Sequence, residues 1–183
     1  MTPPTPSPDP PPTLALALRP FRPAYDAAYL HRWVTTPAEL ITWAGPAFTW
    51  PLDDAQIAAY AAEPGRHVWT AAAGPDGSPL GHVSLRLHPD GSGARLGRVL
   101  IAPEARGRGL GELLLAEALD RAFGELDLPE VDLGVYTHNT AAVRLYERLG
   151  FRTEQVLRDV EEVEGELWSA LQMRLARAAR PGG

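Results

Sequence analysis

Residues 99–111 of the chain read VLIAPEARGRGLG and indicate the architecture more clearly than any other segment. An apolar strand is interrupted at Pro103, and a turn with three glycines leads into a run of helical apolar spacing that starts at Leu110. The first N–H groups of a helix have no partner within it and lie at the positive end of its dipole. Because glycine has no Cβ, a phosphate can approach these groups, and Arg106 and Arg108 can add charge-assisted hydrogen bonds. The stretch predicts a phosphate-binding turn.

The spacing of the glycines excludes two common phosphate-binding motifs. The phosphate loop of nucleotidases needs Gly-Lys followed by Ser or Thr, but Glu112 follows Gly111, and all 17 basic residues of the chain are arginine. The dinucleotide fingerprint needs G-x-G-x-x-G, whereas Gly107, Gly109 and Gly111 are spaced G-x-G-x-G. An oxidoreductase that uses a nicotinamide dinucleotide is therefore disfavoured. A purely structural turn would explain the glycines but not the two arginines between them.

The same turn resembles the motif that binds the pyrophosphate of coenzyme A in the GNAT superfamily of N-acyltransferases. That motif is Arg or Gln, two residues, Gly, one residue, then Gly or Ala, and Arg106, Gly109 and Gly111 occupy its positions. The resemblance extends over residues 14–175, and residues 18–20 with the later segments look like the branch that contains ribosomal-protein N-terminal acetyltransferases. It implies an N-acetyltransferase that uses acetyl-CoA as co-substrate and acts on a primary amine, either a protein N-terminus or a small amine.

The rest of the chain predicts a mixed α/β fold of about seven strands and about four helices, and the resemblance implies a GNAT-like, mostly antiparallel sheet. Apolar alternation and short turns rich in Gly, Pro and Asp predict strands at residues 14–18, 67–73, 80–87, 94–102, 131–136, 152–160 and 167–175. Helical spacing predicts helices at about residues 23–33, 53–62, 110–123 and 139–149. Residues 35–52 contain three prolines and a glycine, and no helix is predicted there.

Length and composition are those of one globular domain. The 183 residues are 45% apolar, and the formal charge is 17 − 23 = −6. Seven prolines among residues 1–12 predict a disordered leader, which is followed by one domain over residues 13–177 and a flexible tail over residues 178–183.

The same composition limits the classes of partner that the protein is expected to bind. An acidic chain is a poor nonspecific ligand for nucleic acid. No apolar run approaches the roughly 18 residues that cross a bilayer, and the absence of a signal-peptide pattern predicts a cytoplasmic protein without a membrane partner. The chain has no cysteine, which excludes disulfides and a Cys nucleophile, and no metal site is expected. A monomer and a homodimer are both open.

Residues 138–151, HNTAAVRLYERLGF, form a second segment that resembles the superfamily. There the Asn at this helix start contacts the cofactor, and a Tyr seven residues on is often the general acid for the departing thiolate. The resemblance implies these roles for Asn139 and Tyr146. Seven helical residues rise about 10.5 Å over nearly two turns, so the two side chains share a face. The alternatives are that Asn139 only caps the helix and that Tyr146 only packs in the core.

The thioester is expected to lie where two strands separate. The strands that carry Ile101 and Val135 are expected to splay apart after Ile101, and an N–H near Leu100 or Ile101 would polarise the thioester carbonyl. The expected cofactor-binding set is Leu100, Ile101, Arg106, Gly107, Arg108, Gly109, Leu110, Gly111 and Asn139.

The general base is left unassigned. Many superfamily members carry a Glu on the fourth strand, where this chain has Arg95 and Arg98. His82, on the preceding strand, is a candidate for proton removal, directly or through water. A surface or hydrogen-bonded strand histidine without a catalytic role is an equally good interpretation.

In this fold the acceptor pocket lies between the first helix pair and the last hairpin. An aromatic wall with an acidic rim would suit a cationic amine. The candidates are Trp33, Trp43, Phe48 and Trp50 for the wall and Glu161, Glu162, Glu164 and Glu166 for the rim. The alternatives are that the aromatics belong to the core and that the acids are only solvated. A different function, a non-catalytic acyl-CoA-binding regulatory module, keeps the fold but lacks the chemistry.

Overall fold

Seven strands and five α-helices are distributed along residues 16–74 and 77–180, the part of the chain that this computed structural model describes. The predicted leader, the first two residues of the predicted first strand and the last three residues of the tail lie outside the described residues. The strands are β1 (Leu16–Pro20), β2 (Arg66–Ala73), β3 (Pro79–Leu87), β4 (Ala94–Ile101), β5 (Glu130–Tyr136), β6 (Arg152–Val163) and β7 (Glu166–Ala176). The helices are α1 (Pro23–Trp33), α2 (Pro37–Ala44), α3 (Asp54–Ala61), α4 (Leu110–Asp120) and α5 (Thr140–Arg148).

The strands form one mixed sheet in the order β1-β2-β3-β4-β5-β7-β6. Every neighbouring pair is antiparallel except β4 and β5, which are parallel. The predicted mixed, mostly antiparallel sheet of seven strands is confirmed. The last hairpin turns at Glu164 and Gly165, both with positive φ, as a tight turn between long strands requires.

Helix α2 corrects the prediction that residues 35–52 contain no helix. Pro37 stands in the first turn of α2, where a missing N–H has no cost. The Oγ1 atom of Thr36 accepts a hydrogen bond from the Glu39 amide at 3.1 Å, and the Glu39 carboxylate accepts one from the Thr35 amide at 2.8 Å. These side-chain caps satisfy donors that the helix start would otherwise leave unpaired. The proline that seemed to break the segment therefore begins a helix.

Helices pack on the sheet in two hydrophobic cores. One core includes Leu114 and Leu119 of α4 together with Tyr146 of α5. The other joins α1, α2 and α3, and its most buried residues include Leu30 and Ile57. No helix within residues 16–74 and 77–180 is both long and apolar enough to cross a membrane.

A buried ion pair fastens β1 and β2 to the start of α1. Asp26 is only 3% exposed and accepts two hydrogen bonds from Arg19, at 2.7 and 2.8 Å, one from the Arg22 amide and one from Thr70. Burial acts to raise the pKa of Asp26, but these hydrogen bonds outweigh it and hold the pKa below its usual value. The stabilisation is therefore present above the unfolded-state pKa of about 3.9 and is lost as the pH falls through the folded-state pKa.

Replacing Asp26 by alanine is expected to lower the free energy of unfolding by about 3–5 kcal/mol, because it leaves the Arg19 guanidinium without its partner. Urea unfolding at pH 7 measures the change. Asp54→Ala is the control: its carboxylate, 84% exposed, pairs with His31, so a loss of only about 0–1 kcal/mol is expected. Equal losses in the two variants would contradict a special role for the buried pair.

Candidate active site

The glycine-rich turn exposes its backbone at the start of α4. Gly107 and Gly109 have φ angles of +73° and +75°, in the left-handed region that favours glycine, and Gly109 is the N-cap of α4. A Cβ atom at either position would meet no atom within 4 Å. The peptide surface of the turn is therefore open to a ligand.

The amides of this turn are free. Among the described residues, none of the N–H groups of residues 107–111 has a hydrogen-bond partner, whereas the next two, those of Glu112 and Leu113, donate to the Gly109 carbonyl at 3.1 and 3.3 Å. Five consecutive unpaired donors at the positive end of a helix form an anion-binding concavity. This is the arrangement predicted for Arg106, Gly107, Arg108, Gly109, Leu110 and Gly111.

The two arginines of the turn differ in their surroundings. Arg106 is tied to the end of β4, since its Nε atom donates to the Ile101 carbonyl at 3.1 Å. Arg108 is exposed. Both guanidinium groups lie on the segment that presents the free amides, which adds positive charge to the anion site.

Gly111 has a packing role that the other two glycines lack. A Cβ atom there would lie 3.2 Å from Cδ2 of Leu145 and 3.9 Å from Cγ1 of Ile101. The absent side chain therefore lets the first turn of α4 pack closely against α5. Gly111 brings the helix that carries Asn139 and Tyr146 beside the turn.

Strands β4 and β5 separate earlier than predicted. Their parallel pairing consists of only two residue pairs, Ala94 with Val131 and Arg95 with Asp132, so the gap opens after Arg95 and not after Ile101. A β-bulge accompanies the separation: the register between β3 and β4 shifts, and Arg98 has a φ of +56°. Because bulges bend a strand, this bulge, three residues after the last β4–β5 pair, accompanies the divergence of β4 from β5.

The bulge and the register decide which amides of β4 face the gap. The Ala102 amide donates to the Leu80 carbonyl of β3 at 2.8 Å. Because N–H directions alternate along a strand, the Leu100 amide also points to β3, and those of Val99 and Ile101 point to the gap. Of the two amides predicted to face the thioester, that of Ile101 points to the gap and that of Leu100 does not. The Val99 amide also points to the gap and was not predicted. The alternation of N–H directions along β4, counted from its hydrogen bonds with β3, identifies it.

Asn139 and Tyr146 have the structural roles considered above, and their positions also allow the roles that the resemblance implies. The Asn139 side chain caps α5 by accepting a hydrogen bond from the Ala142 amide at 3.3 Å. Tyr146 is 8% exposed, and its ring meets Phe151 edge-on with the centroids 5.7 Å apart. Burial raises the pKa of Tyr146 far above its usual value, so the phenol is protonated at neutral pH and is a weaker acid than an exposed tyrosine.

His82 is a poor candidate for the general base. It is 1% exposed, its Nε2 atom lies 3.1 Å from the Tyr60 hydroxyl, and the rings of Phe21 and Trp43 meet it edge-on. Burial lowers the pKa of His82 to about 3, so the ring is neutral at physiological pH and has no contact with solvent. These contacts support the structural interpretation of this histidine.

The predicted aromatic wall is mostly core. Trp33, Trp43 and Phe48 are at most 8% exposed and pack among α1, α2 and α3, and Trp43 stacks on Phe48 with the centroids 5.7 Å apart. Trp50 alone is open to solvent, with 46% of its surface exposed. Trp33, Trp43 and Phe48 therefore belong to the core and do not form the predicted wall.

A different aromatic group lies on the acceptor side. The ring centroid of Trp168, on β7, lies 5.2 Å from that of Tyr136 and 4.3 Å from that of His138. Glu161 of β6 is the cross-strand partner of Trp168. Burial raises the pKa of Tyr136, and the nearby Glu161 adds to this shift. The Tyr136 hydroxyl lies 3.9 Å from where a Cβ of Gly45 would be, so this group adjoins the end of α2.

Of the four predicted acids, Glu161 alone is half-buried and joins this group, while Glu162, Glu164 and Glu166 are exposed. Sequence reasoning missed Tyr136, His138 and Trp168 because the pairing of β5 with β7, which brings them together, involves segments about 35 residues apart. The result is an aromatic and acidic surface at the end of the β4–β5 gap.

The family model described as "Acetyltransferase (GNAT) family" matches residues 37–151 of the chain. The chain belongs to the GNAT family. The matched range contains α2, the glycine-rich turn, the β4–β5 gap and α5, which are the elements that build the site. The GNAT resemblance that the sequence predicts is thereby confirmed.

Individual relatives are small-molecule acetyltransferases by name. A mycothiol acetyltransferase of Salinispora tropica is 41% identical over 92 residues, 45% of this GNAT chain and 30% of that protein. One of Acidimicrobium ferrooxidans is 31% identical over 141 residues, 73% of this chain and 42% of that protein. A phosphinothricin N-acetyltransferase of Streptomyces coelicolor is 40% identical over 70 residues, 38% of this chain and 40% of that protein. The chain thus spans less than half the length of each, and none of them supports the ribosomal-protein branch.

The fold matches solved GNAT structures over nearly the whole chain. A spermidine N-acetyltransferase of Vibrio cholerae in complex with CoA and spermine superposes with a TM-score of 0.77 at 21% identity and covers 90% of this chain and 96% of its own. At this identity the likeness shows the fold alone.

Proposed function

We propose that the protein transfers an acetyl group from acetyl-CoA to the primary amine of a small molecule. The observation that carries this proposal is the turn of residues 107–111, with five unpaired amides, beside a sheet that opens at β4. A diphosphate fits such a turn because backbone donors and a helix dipole point at it. Family membership supports acetyl-CoA as the co-substrate.

The gap between β4 and β5 would receive the thioester arm. The amides of Val99 and Ile101 face this gap, and a donor there stabilises the oxyanion that develops when the thioester carbonyl is attacked. The attacking amine must be unprotonated; its nitrogen forms a bond to the acetyl carbon, the carbon–sulfur bond breaks, and the nitrogen releases one proton. The thiolate takes a proton from Tyr146, and the phenolate so formed takes up the proton that the amine released, so that free thiol, amide and neutral phenol result.

A small amine is the acceptor class that the relatives favour. The names of the mycothiol, phosphinothricin and spermidine acetyltransferases all refer to small molecules. The surface formed by Tyr136, Trp168 and Glu161 is suited to an ammonium group, which binds both to aromatic faces and to a carboxylate. A protein N-terminus is the competing acceptor, and the cytoplasmic location and the oligomeric state stay predictions.

A thiol-release screen with acetyl-CoA tests this function. The acceptors are polyamines, aminoglycosides, amino acids and short peptides with a free N-terminus. We expect saturable release with at least one small amine and a slower rate with peptides. If the protein binds acetyl-CoA but releases no thiol with any acceptor, the regulatory-module alternative replaces the enzyme. If the peptides react fastest, the ribosomal-protein branch is the better description.

A further inference from the structure

Arg98 is a charged side chain without a partner inside an aromatic pocket. Its guanidinium carbon lies 5.6 Å from the centroid of the Phe48 ring and 5.8 Å from that of Tyr60. Its Nε atom is buried without a hydrogen-bond partner, and no ion pair reaches this guanidinium among the described residues. A buried donor left unsatisfied costs free energy, and the cost is larger when the group is charged.

The backbone at Arg98 is held in an unfavourable conformation as well. Its φ of +56° is uncommon for a residue with a side chain. The side chain at this bulge lies against Phe48, in the segment between α2 and α3, and against Tyr60 of α3. A glycine at this position would remove both the backbone strain and the unpaired donor, so the presence of an arginine points to a function.

Neighbouring charges do not neutralise Arg98. The Glu63 carboxylate acts on Arg98 only through its charge, and it is paired with Arg66, whose Nη2 atom lies 2.7 Å from it. The pKa of Tyr60 is raised to about 12 by burial, so its hydroxyl is neutral. His82 is neutral as well, since burial lowers its pKa to about 3. The pocket therefore keeps an excess positive charge from the Arg98 guanidinium, which stays protonated at any physiological pH.

The position of Arg98 connects this charge with the acceptor. Arg98 directly precedes Val99, whose amide faces the β4–β5 gap, and neighbouring strand residues are about 3.3 Å apart along the strand. Its side chain lies on the side of α2, whereas the phosphate-binding turn belongs to α4. The Arg98 backbone is therefore next to the gap, and its side chain is directed to Phe48 and Tyr60 and not to the glycine-rich turn.

We infer that Arg98 binds a carboxylate on the acceptor, so that the preferred substrate is an amine that also carries a carboxylate, as an amino acid does. This inference rests on the proposed function and narrows its substrate class. A carboxylate matches the two-pronged geometry of a guanidinium, and the half-buried side chain leaves its outer nitrogens free to form such a pair. The carboxylate would supply the partner that the pocket lacks.

Acceptors matched in all but the carboxylate test the inference. The pairs are lysine with cadaverine, ornithine with putrescine, and phenylalanine with phenethylamine. In the wild type we expect kcat/KM for the carboxylated member of at least one pair to exceed that of its partner by about 10–100-fold, the value of a charge-assisted hydrogen bond. Arg98→Gln should abolish this preference, and Arg98→Lys should restore part of it because the charge returns without the bidentate geometry.

Two measurements separate failure of this inference from failure of the proposed function. Calorimetric titration of each pair into the protein saturated with CoA measures acceptor binding without turnover. Arg86→Gln, a substitution of an exposed arginine on β3, is the matched control and should leave the preference unchanged. The CoA affinity of Arg98→Gln should equal that of the wild type, which shows that the variant folds.

The possible results distinguish the carboxylate site from the enzyme assignment. Thiol release or binding that is equal for the two members of every pair overturns the carboxylate site while the enzyme assignment stands. Preferential binding of the carboxylated members without thiol release supports the site and contradicts the enzyme. A preference that survives in Arg98→Gln assigns the carboxylate to another residue and overturns the inference.

Discussion

Replacing Gly109 by glutamate is expected to abolish binding of acetyl-CoA. Gly109 caps α4 with a φ of +75°, and a side chain there would project into the open space in front of the free amides. Glutamate fills that space and brings a negative charge to a site built for a diphosphate. Losing two charge-assisted hydrogen bonds of about 1.5–3 kcal/mol each weakens binding by about 10²–10⁴-fold, as calorimetry with acetyl-CoA would measure.

Two further variants separate the charge and bulk from the backbone strain. Gly91→Glu introduces the same side chain at a φ of +74°, again with no atom within 4 Å of the added Cβ, in the turn between β3 and β4. Its affinity for acetyl-CoA should match that of the wild type. Gly109→Ala adds the strain with little bulk and no charge, so a much smaller loss is expected. Wild-type affinity in Gly109→Glu would show that the diphosphate binds elsewhere.

Replacing Tyr146 by phenylalanine is expected to lower kcat by about 10²–10⁴-fold and to leave the affinity for acetyl-CoA unchanged, because the substitution removes a proton donor and no binding group. The buried ring still packs against Phe151, so the free energy of unfolding should change little. Initial rates of thiol release, measured with the best acceptor of the screen, give kcat directly.

Two other tyrosines provide the comparison. Tyr25→Phe alters a ring that is 70% exposed on α1 and should not affect the rate. Tyr136→Phe alters the phenol of the acceptor-side aromatic group, and we expect a raised KM with a smaller change in kcat. If instead Tyr136→Phe lowers kcat and Tyr146→Phe leaves it unchanged, Tyr136 is the proton donor and Tyr146 only a core residue.

Local signals in the sequence predicted most of the architecture. The helical spacing and proline at the start of α1 gave its bounds, Pro23–Trp33, without error, and the glycine turns separated the strands. Residues 35–52 were the exception, since the Thr36 cap that makes Pro37 a first-turn residue was overlooked although it is visible in the sequence. Pro37 is a first-turn proline like Pro23, and the wrong prediction came from interpreting it as a break.

The anion-binding turn could also be predicted from the sequence, because it depends on residues within a few positions of one another. Glycines at 107 and 109 permit left-handed φ angles, and α4 follows at once, so the free amides are a consequence of local chain geometry. Family membership has the same origin, since the motif that carries the resemblance lies in this one segment.

Contacts between distant segments govern the rest of the site. Which amides of β4 face the gap depends on its register with β3, which shifts at the bulge, and the pairing with β5 ends at Arg95. The neutral state of His82 arises from burial beneath three helices that the chain completes before residue 62, and the half-buried Arg98 has no partner because none of the charged groups around it is free to pair with it. Hydrogen-bond parity and desolvation depend on neighbours in space, so spacing along the chain indicates where a phosphate binds but not which side chains meet the acceptor.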